Sequence, residues 1–287
     1  MAAVPPLMST FLIPLALPVQ PWAHDHRFAG RTILPAVESM RLLALTATEA
    51  CPTVDPKIMT DTAFTRFVEI APDAAVLEIL VRLTEVSSGV VRAGLLSRSR
   101  VKAMTRLVSH CDLTFAAAPS PPTEVRCLPA PPAANSALEI SVDRIYRDLV
   151  PFGPTYRTLR DRLRLTADMA WGRVRAPELP RMDGVRGPLG NPFPLDGAMH
   201  AACVHGQRLV DFIPFPVGFA ARVIARPTEG GESYAVRVRL RSRADNELVY
   251  DLAILDEGGR LRETVTALRM RDVSGGRIRP PAWVKAS

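Results

Sequence analysis

The sequence predicts an α+β protein made of two similar halves, and three observations lead to this prediction. Each half contains one long apolar segment with helical periodicity, at residues 35–47 in the first and 195–209 in the second. Several runs in each half show the alternation and the turn signals of antiparallel strands. A stretch rich in proline and alanine, residues 116–137, lies between the halves. A helix packed on one face of an antiparallel sheet in each half accounts for all three.

Proline supports both the helix and the connector assignments. Pro35 opens the first helix at a position that needs no backbone N–H. Six prolines in the connector exclude it from a central strand and give it the stiffness of a semi-rigid linker. The predicted domains are therefore a first half at residues 1–116, a linker at 117–137 and a second half at 138–287. The halves share little residue identity, so their similarity is one of pattern.

The predicted strands lie on both sides of the connector. In the first half they are residues 64–70, 75–86, 89–96 and 107–115. In the second half they are residues 138–142, 163–174, 222–227, 234–242, 248–256 and 260–271. The apolar segment at residues 11–19 is predicted as a buried first strand. Pro14 and Pro18 interrupt it and no Lys or Arg precedes Arg27, so it lacks the pattern of a signal peptide.

Composition limits the classes of function. Apolar residues make up 47% of the 287 residues, which is enough for a large core. No stretch reaches the roughly 20 apolar residues of a membrane-spanning helix, so membrane insertion is not expected. The four cysteines form no CxxC pair and fit a reducing compartment, which predicts a cytoplasmic protein without a metal site. They are Cys51, Cys111, Cys127 and Cys203.

The formal net charge of +7 is carried almost entirely by arginine. The basic residues are scattered, and neither a zinc-finger spacing nor an RNA-recognition motif is present, so no nucleic-acid partner is predicted. An acidic protein partner explains the charge equally well, because complementary fields accelerate encounter.

The first segment whose residues could take part in a reaction contains a histidine, a glycine and the proline that opens the first helix. His26 lies just before that helix, where unpaired backbone N–H groups gather and attract negative charge. Gly30 would let a ligand approach the backbone closely. A histidine beside an anion-stabilising backbone suits removal of a proton next to a carbonyl. A loop histidine and a plain turn glycine explain the same residues about as well.

The second segment places Asp196 and His200 on the same face of the second helix, since they are four residues apart. An aspartate that simply caps the helix is the competing interpretation. Burial among apolar neighbours would raise the carboxyl pKa and favour a proton donor, whereas the helix N-terminus would lower it. The sequence leaves this balance open.

The third segment, residues 143–156, contains a turn at Gly153 and Pro154 between two aromatic residues, Phe152 and Tyr156. A surface turn pinned by aromatic packing explains it without any function.

Together the three segments resemble the dehydratase domains of modular polyketide synthases and of related polyunsaturated fatty-acid synthases. The family motif His-x3-Gly-x4-Pro matches at His26, Gly30 and Pro35, and the motif Asp-x3-Gln/His matches at Asp196 and His200. The motifs occur in the family order, one in each half, and the resemblance covers nearly the whole chain.

Two further family motifs are only approximated. A Tyr-Gly-Pro-x-aromatic motif is represented by Gly153, Pro154 and Tyr156, with Phe152 in place of the tyrosine. A Leu-Pro-Phe-Ser-like stretch is represented by residues 213–216, with Pro216 in place of the serine. Hydrogen bonds through those two side chains are therefore in doubt, but neither change removes a proton-transfer group.

The resemblance implies a double hotdog fold, in which two antiparallel sheets each wrap a central helix. It implies a tunnel between the halves where His26 and Asp196 act as base and acid on a β-hydroxyacyl thioester, releasing water. A backbone N–H near Gly30 would bind the thioester oxygen, and His200 would orient Asp196. Gly153, Pro154, Tyr156 and Pro35 would position the substrate and these groups.

The resemblance also implies the partner. The substrate would be carried on the phosphopantetheine of an acidic acyl carrier protein, with no metal or nicotinamide cofactor, and a homodimer is a family expectation. Four arginines just after the Gly153 turn are candidates for carrier docking, although a solvated arginine face explains any one of them. They are Arg157, Arg160, Arg162 and Arg164.

Two other functions remain compatible with the same residues. A dehydratase-like domain can act as a double-bond isomerase or a cyclase, because these reactions remove and return protons around a carbonyl with the same groups. A non-catalytic carrier-binding module is the third interpretation, and the presence of both His26 and Asp196 argues against it.

Overall fold

The computed structural model describes residues 9–101, 104–116, 128–132, 136–179 and 187–285. These residues form two long helices, a large antiparallel sheet and a small three-stranded sheet. The α+β prediction is confirmed. Among the described residues, no helix combines the length and the hydrophobicity that crossing a membrane requires.

The strands of the first half precede the connector. They are β1 Thr10–Pro18, β2 Arg27–Phe28, β3 Arg31–Ile33, β4 Ile58–Phe64, β5 Glu69–Ile70, β6 Val76–Ser87, β7 Val90–Val101 and β8 Met104–Phe115. The strands of the second half follow it. They are β9 Leu138–Ser141, β10 Leu159–Leu165, β11 Met169–Arg175, β12 Pro214–Ile224, β13 Ser233–Ala244, β14 Glu247–Asp256 and β15 Leu261–Asp272.

Within the described residues the large sheet contains 12 strands in the order β1-β6-β7-β8-β4-β12-β15-β14-β13-β11-β10-β9. The first five come from the first half and the other seven from the second. The two groups join where β4 pairs with β12, for example at Thr62 opposite Phe219. The small sheet has the order β2-β3-β5, and its first strand, β2, begins directly after His26.

The two long helices differ in how they are buried. Helix α1, Ala36–Ala50, packs on β6, β7 and β8 and keeps one partly exposed side. Helix α2, Phe193–Gln207, contacts β10 to β14, and all 15 of its residues are buried. Gly197 allows this close packing, because a Cβ there would lie 2.5 Å from Thr158 Oγ1 and 2.7 Å from Val174 Cγ1.

Short helical turns complete the second half and the entry to the first helix. They are Pro21–Asp25, Val142–Arg144, Ile145–Leu149, Pro154–Tyr156 and Ala282–Lys285. Pro35 is the residue before helix α1 and has an extended conformation, as expected for proline at a helix start.

Three strand predictions are wrong in detail. The strand predicted at residues 64–70 is not continuous: β4 ends at Phe64, a loop follows, and Glu69–Ile70 form β5 of the small sheet. The strand predicted at residues 163–174 is the β10–β11 hairpin, because Thr166 and Asp168 bond to each other and stabilise a turn between the two strands. The strand predicted at residues 222–227 belongs to β12, which begins at Pro214 and tolerates its prolines beside a bulge before Gly218.

The prediction of a buried first strand is also wrong. Strand β1 forms as expected, but it is an edge strand that pairs only with β6. Phe11 and Leu12 are each 47% exposed, because the strand has a packed neighbour on one side only.

Most of the predicted linker, residues 117–127 and 133–135, lies outside the described residues. Of its described residues, 128–132 and 136–137, the first group runs along the second half. Leu128 packs on Ala253 and Leu255, and Trp171 donates a hydrogen bond to the carbonyl of Pro129 at 2.9 Å.

Candidate active site

His26 follows the Pro21–Asp25 turn and is 7% exposed. Its Nδ1 lies 3.0 Å from the carbonyl oxygen of Ile33 on strand β3. A carbonyl can only accept a hydrogen bond, so Nδ1 carries the proton and donates it. In the neutral ring Nε2 therefore has a free lone pair, which is the form that a base requires.

Two aromatic rings from the second half hold the imidazole of His26 in place. The ring of Phe152 stacks on it with centroids 4.3 Å apart, and Tyr156 contacts it edge-on at 4.9 Å. The two rings pack on different sides, so the imidazole orientation depends on the fit between the two halves.

Asp25 joins the segment before His26 to the turn that carries these aromatic rings. Its backbone carbonyl accepts a hydrogen bond from Gly153 N at 2.7 Å, and its Oδ2 accepts one from Thr155 N at 3.0 Å. A Cβ on residue 153 would lie 2.3 Å from Asp25 Oδ1. Glycine is therefore required at position 153, because any side chain would displace Asp25 and with it His26.

Asp196 lies in the first turn of helix α2 and is 5% exposed. Its Oδ2 is 3.0 Å from His200 Nε2 one turn later. The two atoms are close enough to exchange a proton, but they are not aligned as in a regular hydrogen bond. The carboxylate oxygen is thus free to turn toward another partner.

His200 is held from its other side by Tyr146. The hydroxyl of Tyr146 lies 3.3 Å from His200 Nδ1 and accepts a hydrogen bond from Leu159 N at 2.9 Å. A hydroxyl can both donate and accept, so Tyr146 can satisfy Nδ1 in either protonation state of His200.

The electrostatics of the site favour a neutral His26. Burial lowers the pKa of His26 to about 4, and the attraction of Asp196 offsets this only in part. The pKa of Asp196 is also lowered: burial acts to raise it, but positive charge on His200, contact with His200 and charge on His26 outweigh burial. The balance left open by the sequence is therefore resolved toward an ionised carboxyl in the free protein.

Both side chains line one cavity of about 560 Å³ between the halves, a size typical of small-molecule sites. The first half contributes the small sheet and the loop after β4, and the second half contributes helix α2 and the start of β12. Apolar lining residues include Phe67, Met199 and Phe215. The cavity can hold an acyl chain with a reacting carbon between an imidazole and a carboxyl.

The structure places the remaining predicted site residues in two groups. Gly30 lines the exposed mouth of the cavity with a φ of 78°, a conformation that favours glycine. His200 and the two substituted motif residues, Phe152 and Pro216, also line the cavity. Pro35, Gly153, Pro154 and Tyr156 do not line it.

The four arginines predicted for carrier docking have partners within the chain. Arg162 and Arg164 form ion pairs with Glu139 at 3.3 and 2.9 Å. Arg157 donates to the carbonyl of Phe152 at 2.9 Å, and Arg160 donates to that of Leu159 at 3.1 Å. Their involvement in docking stays a prediction.

Two supporting residues were missed by sequence reasoning. Asp25 is adjacent to His26, but its partner Thr155 is 130 residues away in the chain. Tyr146 and His200 are 54 residues apart. Neither contact has a signal in a single sequence, because each depends on how the halves pack.

The fold and this site define a class: a two-helix, double hotdog protein with a His/Asp pair in a shared cavity. The sequence matches the family model of the polyketide synthase dehydratase N-terminal domain over residues 125–278, which is more than half of the chain. The chain belongs to the polyketide synthase dehydratase family, whose members are hydro-lyases acting on acyl thioesters.

Several solved structures have a similar fold. The dehydratase domain of a mycocerosic acid synthase-like synthase has a TM-score of 0.70 at 16% identity, covering 96% of this chain and 99% of that chain. The dehydratase domain of PpsC from Mycobacterium tuberculosis, in complex with C12:1-CoA, has 0.66 at 19%, covering 91% and 93%. A trans-acyltransferase polyketide synthase enoyl-isomerase has 0.67 at 12%, covering 91% and 99%.

These similarities confirm the predicted double hotdog fold. No curated protein matches the sequence significantly.

Proposed function

We propose that this chain removes water from a β-hydroxyacyl thioester carried on the phosphopantetheine of an acyl carrier protein, with His26 and Asp196 as the acid–base pair. The observation that supports this proposal is that both side chains, one from each half, line the same buried cavity. Family membership supports dehydration as the reaction.

His26 is the base. With a pKa of about 4 its ring is neutral at pH 7, and the bond from Nδ1 to Ile33 leaves Nε2 to accept the α-proton. The electrons of the C–H bond then form the new double bond. A backbone N–H near Gly30 at the cavity mouth stabilises the charge that develops on the thioester oxygen.

Asp196 and His200 deliver the second proton. His200 lowers the pKa of Asp196 through its charge and through direct contact, so the carboxyl and the imidazole act together as one proton-donating pair. Their separation of 3.0 Å lets that proton reach the carboxyl and the departing hydroxyl as the C–O bond breaks. Water leaves with the proton, and transfer of the proton gained by His26 to the pair, directly or through water, restores the starting state.

The test is turnover of a 3-hydroxyacyl pantetheine thioester followed by mass spectrometry. A general acid or base typically contributes about 10²–10⁴-fold to a rate. His26→Ala and Asp196→Asn should therefore each slow formation of the product that is 18 Da lighter by a factor in that range. His24→Ala is the matched control, because His24 lies in the preceding turn and does not line the cavity. Parental turnover in both active-site variants would refute the proposal.

Double-bond isomerisation is the second candidate, favoured by the similarity to a structure named as an enoyl-isomerase. The same pair could remove a proton from one carbon of an enoyl thioester and return one to another. A product of unchanged mass with a shifted double bond, and no 18 Da loss from the hydroxyacyl substrate, would support this alternative over dehydration.

A further inference from the structure

Strands β7 and β8 extend beyond the large sheet as a free two-stranded ribbon. Pairing of β7 with β6 ends at Leu96, and pairing of β8 with β4 ends at Cys111. The two strands continue to pair with each other as far as Val101 opposite Met104. We call residues 97–101 and 104–108 the basic ribbon. A ribbon that pairs with nothing else buries little surface, so its side chains are available to a partner.

The described part of the ribbon carries unbalanced positive charge. Arg98, Arg100 and Arg106 are exposed, and no acidic side chain among the described residues lies within ion-pair distance of them. Met104 and Leu107 on the same ribbon are 64% and 51% exposed. Arginine and methionine beside exposed apolar surface are typical of protein–protein interfaces.

The root of the ribbon lies at the mouth of the active-site cavity. His110 on β8 lines that cavity, accepts a hydrogen bond from Ser97 Oγ at 2.8 Å, and donates from Nδ1 to the carbonyl of Arg66 at 3.3 Å. Thr65 donates to the carbonyl of Ser109 at 2.8 Å. At about 3.3 Å per residue, the ribbon arginines lie roughly 10–17 Å from His110 along the strands.

The mouth has the same sign of charge as the ribbon. Arg27, Arg66 and Arg279 line the cavity and are exposed, and none forms an ion pair within the described part of the chain. A negatively charged macromolecule would therefore meet positive charge on the ribbon and again at the entrance. Complementary charge of this kind steers encounter and fixes orientation.

We propose that the basic ribbon and the arginines at the cavity mouth dock the acidic acyl carrier protein, so that its phosphopantetheine arm enters beside Arg66. This inference rests on the proposed function, since a carrier is needed only if the substrate is carried on one. It assigns docking to a different surface from Arg157, Arg160, Arg162 and Arg164, which are occupied by contacts within the chain.

The test compares two substrates with the same acyl group. One is 3-hydroxybutyryl-phosphopantetheine on an excised acyl carrier protein from a polyketide synthase, and the other is the free 3-hydroxybutyryl pantetheine thioester. The ribbon variant is Arg98→Glu/Arg100→Glu/Arg106→Glu. The matched control, Arg226→Glu/Arg243→Glu/Arg260→Glu, makes the same charge change at exposed arginines that do not line the cavity.

The ribbon variant should lower kcat/KM for the carrier-bound substrate at least about tenfold, and leave turnover of the free thioester within about twofold of the parent. The control variant should lower neither by more than about twofold. Parental kcat/KM of the ribbon variant on the carrier substrate, or an equal loss in the control, would overturn the docking proposal. An equal loss with the free thioester would overturn it too.

Direct binding separates failure of docking from failure of the function. Affinity of the same carrier protein for the parent and for both variants is measured by isothermal titration calorimetry, which requires no turnover. Weaker binding to the ribbon variant alone supports docking even if the parent dehydrates neither substrate. Equal binding to all three proteins contradicts docking even if the parent is an active dehydratase.

Discussion

His26 and Asp196 face the same cavity but are held there in different ways. Asp196 belongs to helix α2, whose 15 residues are all buried, so its position is fixed by one rigid element. His26 belongs to a loop, and its ring is fixed by Phe152 and Tyr156 from the other half and by the carbonyl of Ile33. The position of Asp196 therefore depends on a helix, whereas the position of His26 depends on the fit between the halves.

The largest expected effect concerns the burial of His26. Its pKa is about 4 in the folded protein and 6.5 when exposed, so the unfolded chain binds more protons between these values. The free energy of unfolding is therefore highest above pH 6.5 and falls as the pH approaches 4. His26 accounts for about 3 kcal/mol of this loss.

Urea unfolding at pH 7 and at pH 4.5 checks this expectation. The loss of unfolding free energy should be smaller in His26→Gln than in the parent. His205, whose pKa burial also lowers to about 4, contributes equally to both proteins and cancels in the comparison. Parallel pH dependences would show that His26 is not buried in the neutral form.

The second prediction concerns a substitution at Gly153, where the two halves contact each other. Gly153→Ala places a Cβ 2.3 Å from Asp25 Oδ1, which must push the segment of His26 away. A displacement of about 1 Å at a reacting group can reduce turnover about 10²-fold, so kcat should fall by that order. Gly258→Ala is the control, because a Cβ there meets only Asp256 at 3.4 Å.

A second-site change tests the cause of that loss. Asp25→Gly in the Gly153→Ala background removes all three Asp25 side-chain atoms that the new Cβ would meet, and kcat should recover in part. A single Gly153→Ala variant with parental kcat would show that the contact between the halves does not position the base.

The third prediction concerns Tyr146, which contacts His200, the neighbour of Asp196. Tyr146→Phe removes the hydroxyl that contacts His200 and leaves Leu159 N buried without its partner, so stability should fall by about 1–3 kcal/mol. Loss of the His200 contact should also lower kcat about tenfold with little change in KM, as expected for a group that acts through its neighbour.

Tyr234→Phe separates the two contributions. The Tyr234 hydroxyl accepts a hydrogen bond from Glu229 N at 2.7 Å but does not line the cavity. This control should lose comparable stability, measured by thermal unfolding, and keep its kcat. If Tyr146→Phe behaved in the same way, Tyr146 would have only a structural role.

The smallest effect is expected from Asp25→Asn. The amide oxygen of asparagine can still accept the bond from Thr155 N, so kcat should stay within about threefold of the parent. Asp25→Ala should lose more, because that bond is gone. A loss for Asp25→Asn as large as that for Gly153→Ala would mean that the charge of Asp25, rather than its hydrogen bond, is what matters.

Local sequence patterns predicted the two long helices and most of the long strands. The two helices were found because proline and apolar periodicity mark them, and the long strands of the second half were found by alternation. The strand predicted at residues 64–70 was misplaced because the loop after Phe64 contains the apolar residues Phe67 and Val68. It lines a cavity, and burial on a cavity wall selects the same residue types as burial in a sheet.

The catalytic-motif residues could be predicted because each motif lies within ten residues of sequence. The surroundings of these residues could not be predicted from the sequence. The pKa of Asp196 depends on His200 and His26 against burial, and the orientation of His26 depends on Phe152, which is 126 residues away. Such long-range contacts are set by packing between the halves and have no counterpart in local spacing.

The central claim is that one substrate lies between His26 and Asp196. The most direct measurement is a crystal structure with a 3-hydroxyacyl pantetheine amide, in which nitrogen replaces the thioester sulfur. We expect the α-carbon within about 3.5 Å of His26 Nε2 and the 3-hydroxyl within about 3.2 Å of an Asp196 oxygen. A bound analogue with its hydroxyl and α-carbon facing away from both side chains would contradict the account.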